Sequence, residues 1–413
     1  MNVIDLDAHR GAVVTSSPRR AAPARWSSAV LVALCVLMLG AGGPPGPNLD
    51  PRHTVAGDFA RLVLDDAHAF TVRGASASSR IDAYGLDDGE HLWSTAVRGM
   101  VIRMLAAAGV LLVSADDTVA LDAATGKVRW RQPASSLLGR SGDVAVVSSL
   151  PGVIGGFSIR TGEPRWVAHT SADTRTVIEY EPGRPTIVDL ADWNPDSTVQ
   201  LRDPDDGAVR GHFTTGRRAT TDADVYLVRG ALLIAETESA GLRWYDGASG
   251  MPANLPKFGY TVTTSVTRCG ANACVSDNGG MTAIDLVGGR TVWHVDRWNV
   301  FRPLTSGVAI VYDASAVDEG FTGALIDPAS GRILDRLSGW QPTDATRAPE
   351  VVLWHRMPAG GALFAVHNAQ TGQRTTVGRT TGWGTTPTCE LSAAHLVCYG
   401  GEELAIWRLP ATL

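Results

Sequence analysis

The stretch "LDAATGKVRW", residues 121–130, has the pattern of two short strands joined by a tight turn, with Trp130 four residues after Gly126. A tryptophan in that place could stack on a bound ligand or could pack against another part of the protein. A ligand stack is used once in a chain, whereas a packing residue is needed wherever the same structural unit recurs. The fold therefore depends on whether this pattern repeats.

The pattern occurs eight times. Four copies keep both the glycine and the tryptophan at the same offset, and their tryptophans are Trp93, Trp130, Trp166 and Trp293. Four weaker copies keep the turn alone, and their glycines are Gly207, Gly250, Gly331 and Gly372. Successive turn glycines, starting at Gly89, lie 36 to 45 residues apart. A period of about 40 residues is typical of propellers in which each blade contains four strands.

The turns have the composition of strand-connecting turns. Six copies carry a short polar residue four positions before the glycine, where it can hydrogen-bond to its own turn backbone, and these residues are Asp122, Asp203, Asp246, Asp285, Asp327 and Asn368. The glycine supplies the positive φ that such a turn requires. Aliphatic runs such as 109–116 and 307–314 precede the turns, and no long helical pattern follows residue 44. We therefore predict an all-β, eight-bladed β-propeller, with seven or nine blades as alternatives.

Closure of the ring is predicted from the two ends of the repeat region. Residues 61–73 supply strand material before the first turn, and residues 387–409 supply it after the last. We expect these two segments to share one blade.

The complete motif resembles a known repeat. Ala120, Asp122, Thr125, Gly126 and Trp130 form the pattern A-x-D-x-x-T-G-x-x-x-W, which is similar to the tryptophan-docking repeat of pyrroloquinoline-quinone (PQQ) type propellers. The resemblance covers roughly residues 60 to 410. It implies that the four motif tryptophans are structural docking residues wedged between neighbouring blades.

The resembled family contains enzymes and scaffolds. It includes quinoprotein dehydrogenases, which hold the quinone with a stacking tryptophan, a calcium ion and commonly a disulfide between adjacent cysteines. It also includes cofactor-free scaffolds such as the lipoprotein of the outer-membrane β-barrel assembly machinery. This chain has no Cys-Cys pair, its ten histidines form no H-x-H or H-E-x-x-H motif, and it has no G-x-S-x-G elbow. We predict no enzyme, no catalytic, cofactor or metal residue, and a character closest to the non-catalytic scaffolds.

The N-terminus differs from the rest of the chain. We divide it into a cytoplasmic tail (1–25), an apolar segment (26–43) that is either a transmembrane anchor or a cleaved signal, and a Pro/Gly linker (44–58), with the propeller at 59–413. The arginines lie before the apolar segment, which predicts a single-pass cell-membrane protein with its N-terminus inside and the propeller extracytoplasmic, or a secreted protein after cleavage.

The cysteines agree with an extracytoplasmic location. Cys35 lies in the apolar segment, and the other four form two closely spaced pairs at equivalent blade positions, Cys269 with Cys274 and Cys389 with Cys398. We expect both pairs to be disulfides, which persist in oxidising compartments. A four-cysteine metal site would require tighter spacings of the C-x₂-C kind.

Charge and composition limit the class of partner. The net charge of −6 divides into +2 for residues 1–43 and −8 for the remainder, and an acidic body does not favour nucleic acid. The leading hypothesis is a monomeric, non-catalytic scaffold or binding module for envelope proteins or polymers. The alternatives are a PQQ-dependent dehydrogenase-like quinoprotein and an extracytoplasmic sensor or ligand-binding domain.

Overall fold

The computed structural model describes residues 50–74, 77–149, 152–170, 174–181, 184–191, 197–215, 224–228, 231–236, 241–246, 249, 251, 265–277, 280–286, 288–296, 298–305, 307–313, 321–347, 349–358, 360–381, 383, 386–400 and 402–409. The predicted tail, the apolar segment 26–43 and the turn glycine Gly250 lie outside these ranges. Within the ranges, no helix has the length and apolar character needed to cross a membrane.

The regular elements of the described residues are all β-strands. In chain order they are β1 (His53–Ala56), β2 (Arg61–Leu64), β3 (His68–Arg73), β4 (Ser78–Gly85), β5 (His91–Arg98), β6 (Arg103–Ala107), β7 (Val110–Ser114), β8 (Thr118–Asp122), β9 (Val128–Gln132), β10 (Ser135–Ser141), β11 (Val144–Ser149), β12 (Val153–Ser158), β13 (Pro164–His169), β14 (Thr174–Glu181), β15 (Arg184–Ala191), β16 (Thr198–Arg202), β17 (Val209–Thr214), β18 (Asp224–Val228), β19 (Ala231–Glu236), β20 (Gly241–Asp246), β21 (Ser265–Cys269), β22 (Asn272–Asp277), β23 (Gly280–Asp285), β24 (Arg290–Val295), β25 (Val300–Thr305), β26 (Val308–Tyr312), β27 (Thr322–Ile326), β28 (Ile333–Ser338), β29 (Gln341–Arg347), β30 (Glu350–Arg356), β31 (Ala362–Asn368), β32 (Arg374–Thr380), β33 (Thr388–Leu391), β34 (His395–Gly400) and β35 (Glu403–Arg408).

The described strands form nine antiparallel sheets. We call them blades 1 to 9, and their strands are, in order, β2–β5, β6–β9, β10–β13, β14–β17, β18–β20, β21–β24, β25–β28, β29–β32, and β1 with β33–β35. The first strands of most neighbouring blades lie against one another, and β33 closes the ring by contacting both β29 and β2. The first strands therefore surround the centre of the ring and the fourth strands form its rim. An all-β propeller is confirmed.

The eight turn copies belong to blades 1 to 8, and the two ends of the chain make blade 9. The copy at Gly250 is outside the described residues, and the other seven lie between the third and fourth strands of their blades. A ninth sheet was one of the alternatives that the sequence left open.

The predicted closure is wrong in one respect: residues 61–73 and 387–409 lie in neighbouring blades rather than in one. Strands β2 and β3 continue into β4 and β5, so blade 1 is complete without help from the C-terminus. The open edge of β35 is instead covered by β1, with His53 opposite Ile406 and Ala56 opposite Glu403. Residues 53–56, which we had placed in the linker, are therefore a strand of the ring.

The repeated turn is closed by backbone and side-chain hydrogen bonds. The seven described turn glycines have φ between 63° and 73°, and each donates its N–H to the carbonyl four residues earlier at 2.8–2.9 Å. In the opening stretch, Asp122 Oδ1 accepts from the Thr125 N–H at 2.9 Å and from its hydroxyl at 2.8 Å. The Arg129 guanidinium and these Thr125 bonds lower the pKa of Asp122 to about 2. The turn chemistry predicted from sequence is thus present.

The hydrophobic core lies between blades. Phe70 and Ile81 of blade 1, for example, pack in one cluster with Leu111 and Val113 of blade 2, and all four are fully buried. Strand β7 is buried at every residue because a neighbouring blade covers each of its faces. Each blade therefore depends on the two beside it, so the contacts between blades determine the geometry of the ring.

Candidate functional site

The four motif tryptophans occupy equivalent positions between blades. Each lies in the fourth strand of its blade, is 8–9% exposed, and carries an indole Nε1–H that hydrogen-bonds to the next blade. The acceptor is in each case the carbonyl three residues before the next turn glycine, and the pairs are Trp93 with Ala123 (3.0 Å), Trp130 with Ile159 (2.8 Å), Trp166 with Pro204 (2.9 Å) and Trp293 with Pro328 (3.1 Å). This is the arrangement expected of a packing residue that recurs at the same place in several repeats.

The rings of these tryptophans lie directly against the turn glycines of the next blade. A Cβ at Gly126 would come within 2.5 Å of the Trp93 ring, and one at Gly162 would come equally close to Trp130. The same relation holds for Gly207 with Trp166 and for Gly331 with Trp293, at 2.6 Å. The glycine is therefore required both by its φ and by the ring above it.

The joint between blades 7 and 8 departs from this pattern. Asp335 stands four residues after Gly331, where four other copies have the tryptophan, and faces Leu325 on the adjacent strand. The motif tryptophans face Ala or Gly in the same register. Asp335 Oδ2 instead accepts a hydrogen bond from Arg374 Nη2 of blade 8 at 2.7 Å. An ion pair thus replaces the indole at this joint.

A buried histidine lies beside that ion pair. His367 is fully buried, and its Nδ1 is 3.7 Å from Asp335 Oδ2. Neither ring nitrogen has a hydrogen-bond partner among the described residues. Burial lowers the pKa of His367, and the nearby Arg374 adds to that effect while Asp335 opposes it. Six of the seven other turn copies have an aliphatic or aromatic residue in this place, and the seventh has Arg202.

An open cavity lies at the same joint, although Asp335, Arg374 and His367 are not among its lining residues. It has a volume of about 580 Å³ and lies between the turns of blades 7 and 8, where it is lined by Asp327, Arg332, Leu334, Ala369, Gln370 and Gly372 among others. That volume lies within the range of ligand pockets, about 300–1,000 Å³. We call this cavity the 7–8 slot.

A second feature lies where the chain enters blade 2. Met100 and Ile102 are 56% and 44% exposed, on either side of the buried Val101. Arg61 Nε donates to the Val101 carbonyl at 2.9 Å, and Arg103 Nη1 donates to the carbonyl of Leu138 in blade 3. We call the exposed pair, with these two arginines, the blade 2 entry patch.

The first strands of blades 7 to 9 also carry interacting charges. Arg302 of β25 forms an ion pair with Asp344 of β29. Glu390 of β33 is half-buried, and burial together with repulsion from Asp344 raises its pKa to about 7. One carboxyl near the centre of the ring therefore changes its charge near neutral pH.

The predicted disulfides are present in the structure. Cys269 bonds to Cys274 and Cys389 bonds to Cys398, and each bridge joins the first two strands of its blade, blade 6 or blade 9. All four cysteines are buried.

Residues that would hold a quinone are not assembled in the described part of the chain. No group of three or more His, Cys, Asp or Glu residues within the described ranges is arranged to bind a metal ion. Five tryptophans outside the motif are buried at 2–5% exposure, namely Trp244, Trp298, Trp354, Trp383 and Trp407. Trp193 lies outside the described residues, and Trp340 packs against a cluster formed by blades 7 and 8.

Sequence patterns alone did not predict the polar residues at the joint of blades 7 and 8 or the blade 2 entry patch. A signal for this joint is present in the sequence, because aligning the turn copies puts Asp335 in the position of the motif tryptophan and His367 in a position that is aliphatic or aromatic in six other copies. No comparable signal marks Met100 and Ile102, whose exposure depends on the packing of blade 2.

The fold and its repeat define a class of protein, the propellers with PQQ-like repeats. Residues 77–236 match the family model described as "Outer membrane protein assembly factor BamB". The resemblance to the PQQ-like β-propeller family is thereby confirmed over these residues. A search of curated proteins finds no significant match.

Solved structures with similar folds have low sequence identity. A structure described as the eukaryotic initiation factor matches with a TM-score of 0.54 and 7% identity, covering 89% of this chain and 92% of its own. The computationally designed Ika8 protein matches with a TM-score of 0.50 and 11% identity, over 87% and 99%. BamB from Moraxella catarrhalis matches with a TM-score of 0.47 and 18% identity, over 87% and 100%. At these identities the likeness concerns the fold alone.

Proposed function

We propose that this protein is a non-catalytic binding module, a membrane-anchored extracytoplasmic scaffold that holds an envelope protein against its ring. The match of residues 77–236 to a family model named for an outer-membrane assembly factor supports an envelope role. The two disulfides support an oxidising compartment. The apolar segment 26–43 would provide the anchor.

The observation that carries the proposal is the blade 2 entry patch. The side chains of Met100 and Ile102 are exposed to solvent on a backbone that is fixed by hydrogen bonds. The Ile102 N–H donates to the Ser114 carbonyl at 2.8 Å, and the Arg61 guanidinium donates to the Val101 carbonyl. Because the backbone is already ordered, a partner that covers these side chains loses little additional conformational entropy. Methionine and arginine are also enriched at protein–protein interfaces. This composition favours a protein partner over a polysaccharide.

Site-specific cross-linking tests the proposal. A photoreactive residue at Ile102 should give a discrete protein adduct in intact envelopes, and Arg61→Ala should weaken it because the segment loses its brace. The matched control is the same photoreactive residue at Val209, which is 47% exposed on the fourth strand of blade 4. Equal adducts at both positions, or none at either, would contradict the proposed surface. Dye-linked alcohol oxidation that depends on added quinone and calcium would instead support the dehydrogenase alternative.

A further inference from the structure

Among the turn glycines Gly89, Gly126, Gly162, Gly207, Gly331 and Gly372, only Gly372, at the 7–8 slot, has no described atom over it within 4 Å. Turn glycines of blades 2, 3, 4 and 8 can be compared directly. A Cβ at Gly126, Gly162 or Gly207 would meet the ring of a tryptophan from the preceding blade. At Gly372, apart from its chain neighbours, no described atom lies within 4 Å of that position. The absent ring leaves open space rather than a collapsed joint.

The closing joint shows that a ring can be supplied by another segment. A Cβ at Gly89 would come within 2.5 Å of His53, which lies on β1, far from blade 9's other strands in sequence. His53 Nε2 also hydrogen-bonds to the Asp87 carbonyl of the same turn at 2.9 Å. The turn of blade 1 is therefore covered by an aromatic ring from β1, a strand that is distant in sequence from the rest of blade 9.

The polar acceptor for an indole is also in place at the 7–8 slot. Ala369 stands three residues before Gly372, in the position that Ala123 holds before Gly126. The backbones of the two alanines are held by equivalent hydrogen bonds: the Ala123 N–H donates to the Gly109 carbonyl and the Ala369 N–H donates to the Pro349 carbonyl, both at 3.1 Å. The Ala123 carbonyl accepts the Trp93 indole, and Ala369 lines the slot.

The protein's own residues do not fill the slot. Asp335 is much smaller than tryptophan, and Arg374, which pairs with it, places its guanidinium over the Trp340 ring at 5.1 Å. His367 is fully buried beneath the pair with both ring nitrogens unpartnered among the described residues. Three polar side chains, Asp335, Arg374 and His367, thus lie together at this joint.

We propose that the 7–8 slot binds a tryptophan side chain presented by a partner polypeptide. The indole ring lies over Gly372 and donates its Nε1–H to the Ala369 carbonyl, as the protein's own tryptophans do at the filled joints. Gln370 and Arg332 at the edge of the slot offer hydrogen bonds to the partner's backbone. This site is separate from the blade 2 entry patch, so either proposal can fail without the other.

Fluorine NMR of acetyl-5-fluorotryptophanamide tests the inference on the purified protein. The wild-type protein should broaden and shift the fluorine signal in a saturable way, and acetyl-leucinamide should not compete. The double variant Asp335→Trp/Leu325→Ala restores the motif tryptophan together with its small neighbour, and should weaken binding by about tenfold or more. Arg336→Trp is the matched control, because Arg336 is the exposed neighbour of Asp335 on the same strand and should leave binding unchanged.

A second variant guards against failure of the first to fold. Gly372→Asn keeps the left-handed backbone, which asparagine tolerates, and projects a side chain into the open space of the slot. It should reduce binding as the double variant does, while circular dichroism and thermal melting remain close to wild type. Absence of saturable binding to the wild type would overturn the inference. Binding that is equal in wild type and in folded Gly372→Asn would overturn it as well.

Discussion

Trp130→Ala tests whether the motif tryptophans hold neighbouring blades together. Trp130 is 9% exposed, its Nε1 lies 2.8 Å from the Ile159 carbonyl, and its ring covers Gly162. Truncation of a buried large aromatic residue typically costs about 3–5 kcal/mol, because transfer energy is lost and a cavity remains. It also removes the partner of the Ile159 carbonyl, which costs about 1–3 kcal/mol when the group stays buried. We expect a loss near the upper part of the 3–5 kcal/mol range.

Urea denaturation followed by circular dichroism measures this loss as a change in the free energy of unfolding. Val128→Ala is the matched control, since Val128 is on the same strand but 50% exposed and should change stability by no more than about 0.5 kcal/mol. Trp130→Phe separates the hydrogen bond from the ring and should cost less than the alanine variant. The packing role is refuted if Trp130→Ala is no less stable than Val128→Ala.

Three further outcomes follow from the structure. Glu390→Gln should stabilise the protein more at pH 8 than at pH 5 in denaturation experiments. The pKa of Glu390 in the folded state is raised to about 7, so the native state binds more protons than the unfolded state. The wild-type protein therefore loses stability as the pH rises through that value. His367→Leu should stabilise the protein more at pH 5 than at pH 8. Burial lowers the pKa of His367, so the wild-type protein loses stability as the pH falls below the ordinary histidine pKa of 6.5. A variant that differs from the wild type in stability at pH 8 but not at pH 5 would contradict this. Gly207→Ala should cost more than about 1 kcal/mol by thermal or urea melting, because φ is 71° and the added Cβ would meet the Trp166 ring at 2.6 Å.

The turn motif made much of the fold predictable. A glycine that must adopt positive φ and a tryptophan at a fixed offset are both local requirements, so they are visible in sequence wherever the unit recurs. The cysteine pairs were predictable for a similar reason, since each disulfide lies within a single hairpin. These features depend on residues fewer than ten positions apart.

Closure and the 7–8 slot depend on residues that are distant in sequence. Strand β1 has only four residues, carries no turn motif, and finds its partner β35 some 350 positions later. The joint beside the slot brings Asp335 of blade 7 together with His367 and Arg374 of blade 8. The sequence shows that Asp335 stands where four copies have a tryptophan, but which residues meet across a joint follows from the ring geometry alone.

The 7–8 joint should be weaker than the joints that retain tryptophan. The Asp335–Arg374 pair is about one-third exposed on both sides, and such pairs contribute at most about 1 kcal/mol. That is less than the about 3–5 kcal/mol associated with a buried tryptophan, so the ring has an uneven distribution of stability. Native-state hydrogen exchange should therefore show faster exchange in β28 and β31, on the two sides of this joint, than in β9 and β12, on the two sides of the Trp130 joint. Saturating acetyltryptophanamide should slow exchange in β28 and β31 selectively, because a ligand that binds the folded joint but not the locally unfolded one stabilises the folded joint. Equal exchange rates at the two joints without ligand would show that the remaining contacts of blades 7 and 8 already replace the tryptophan.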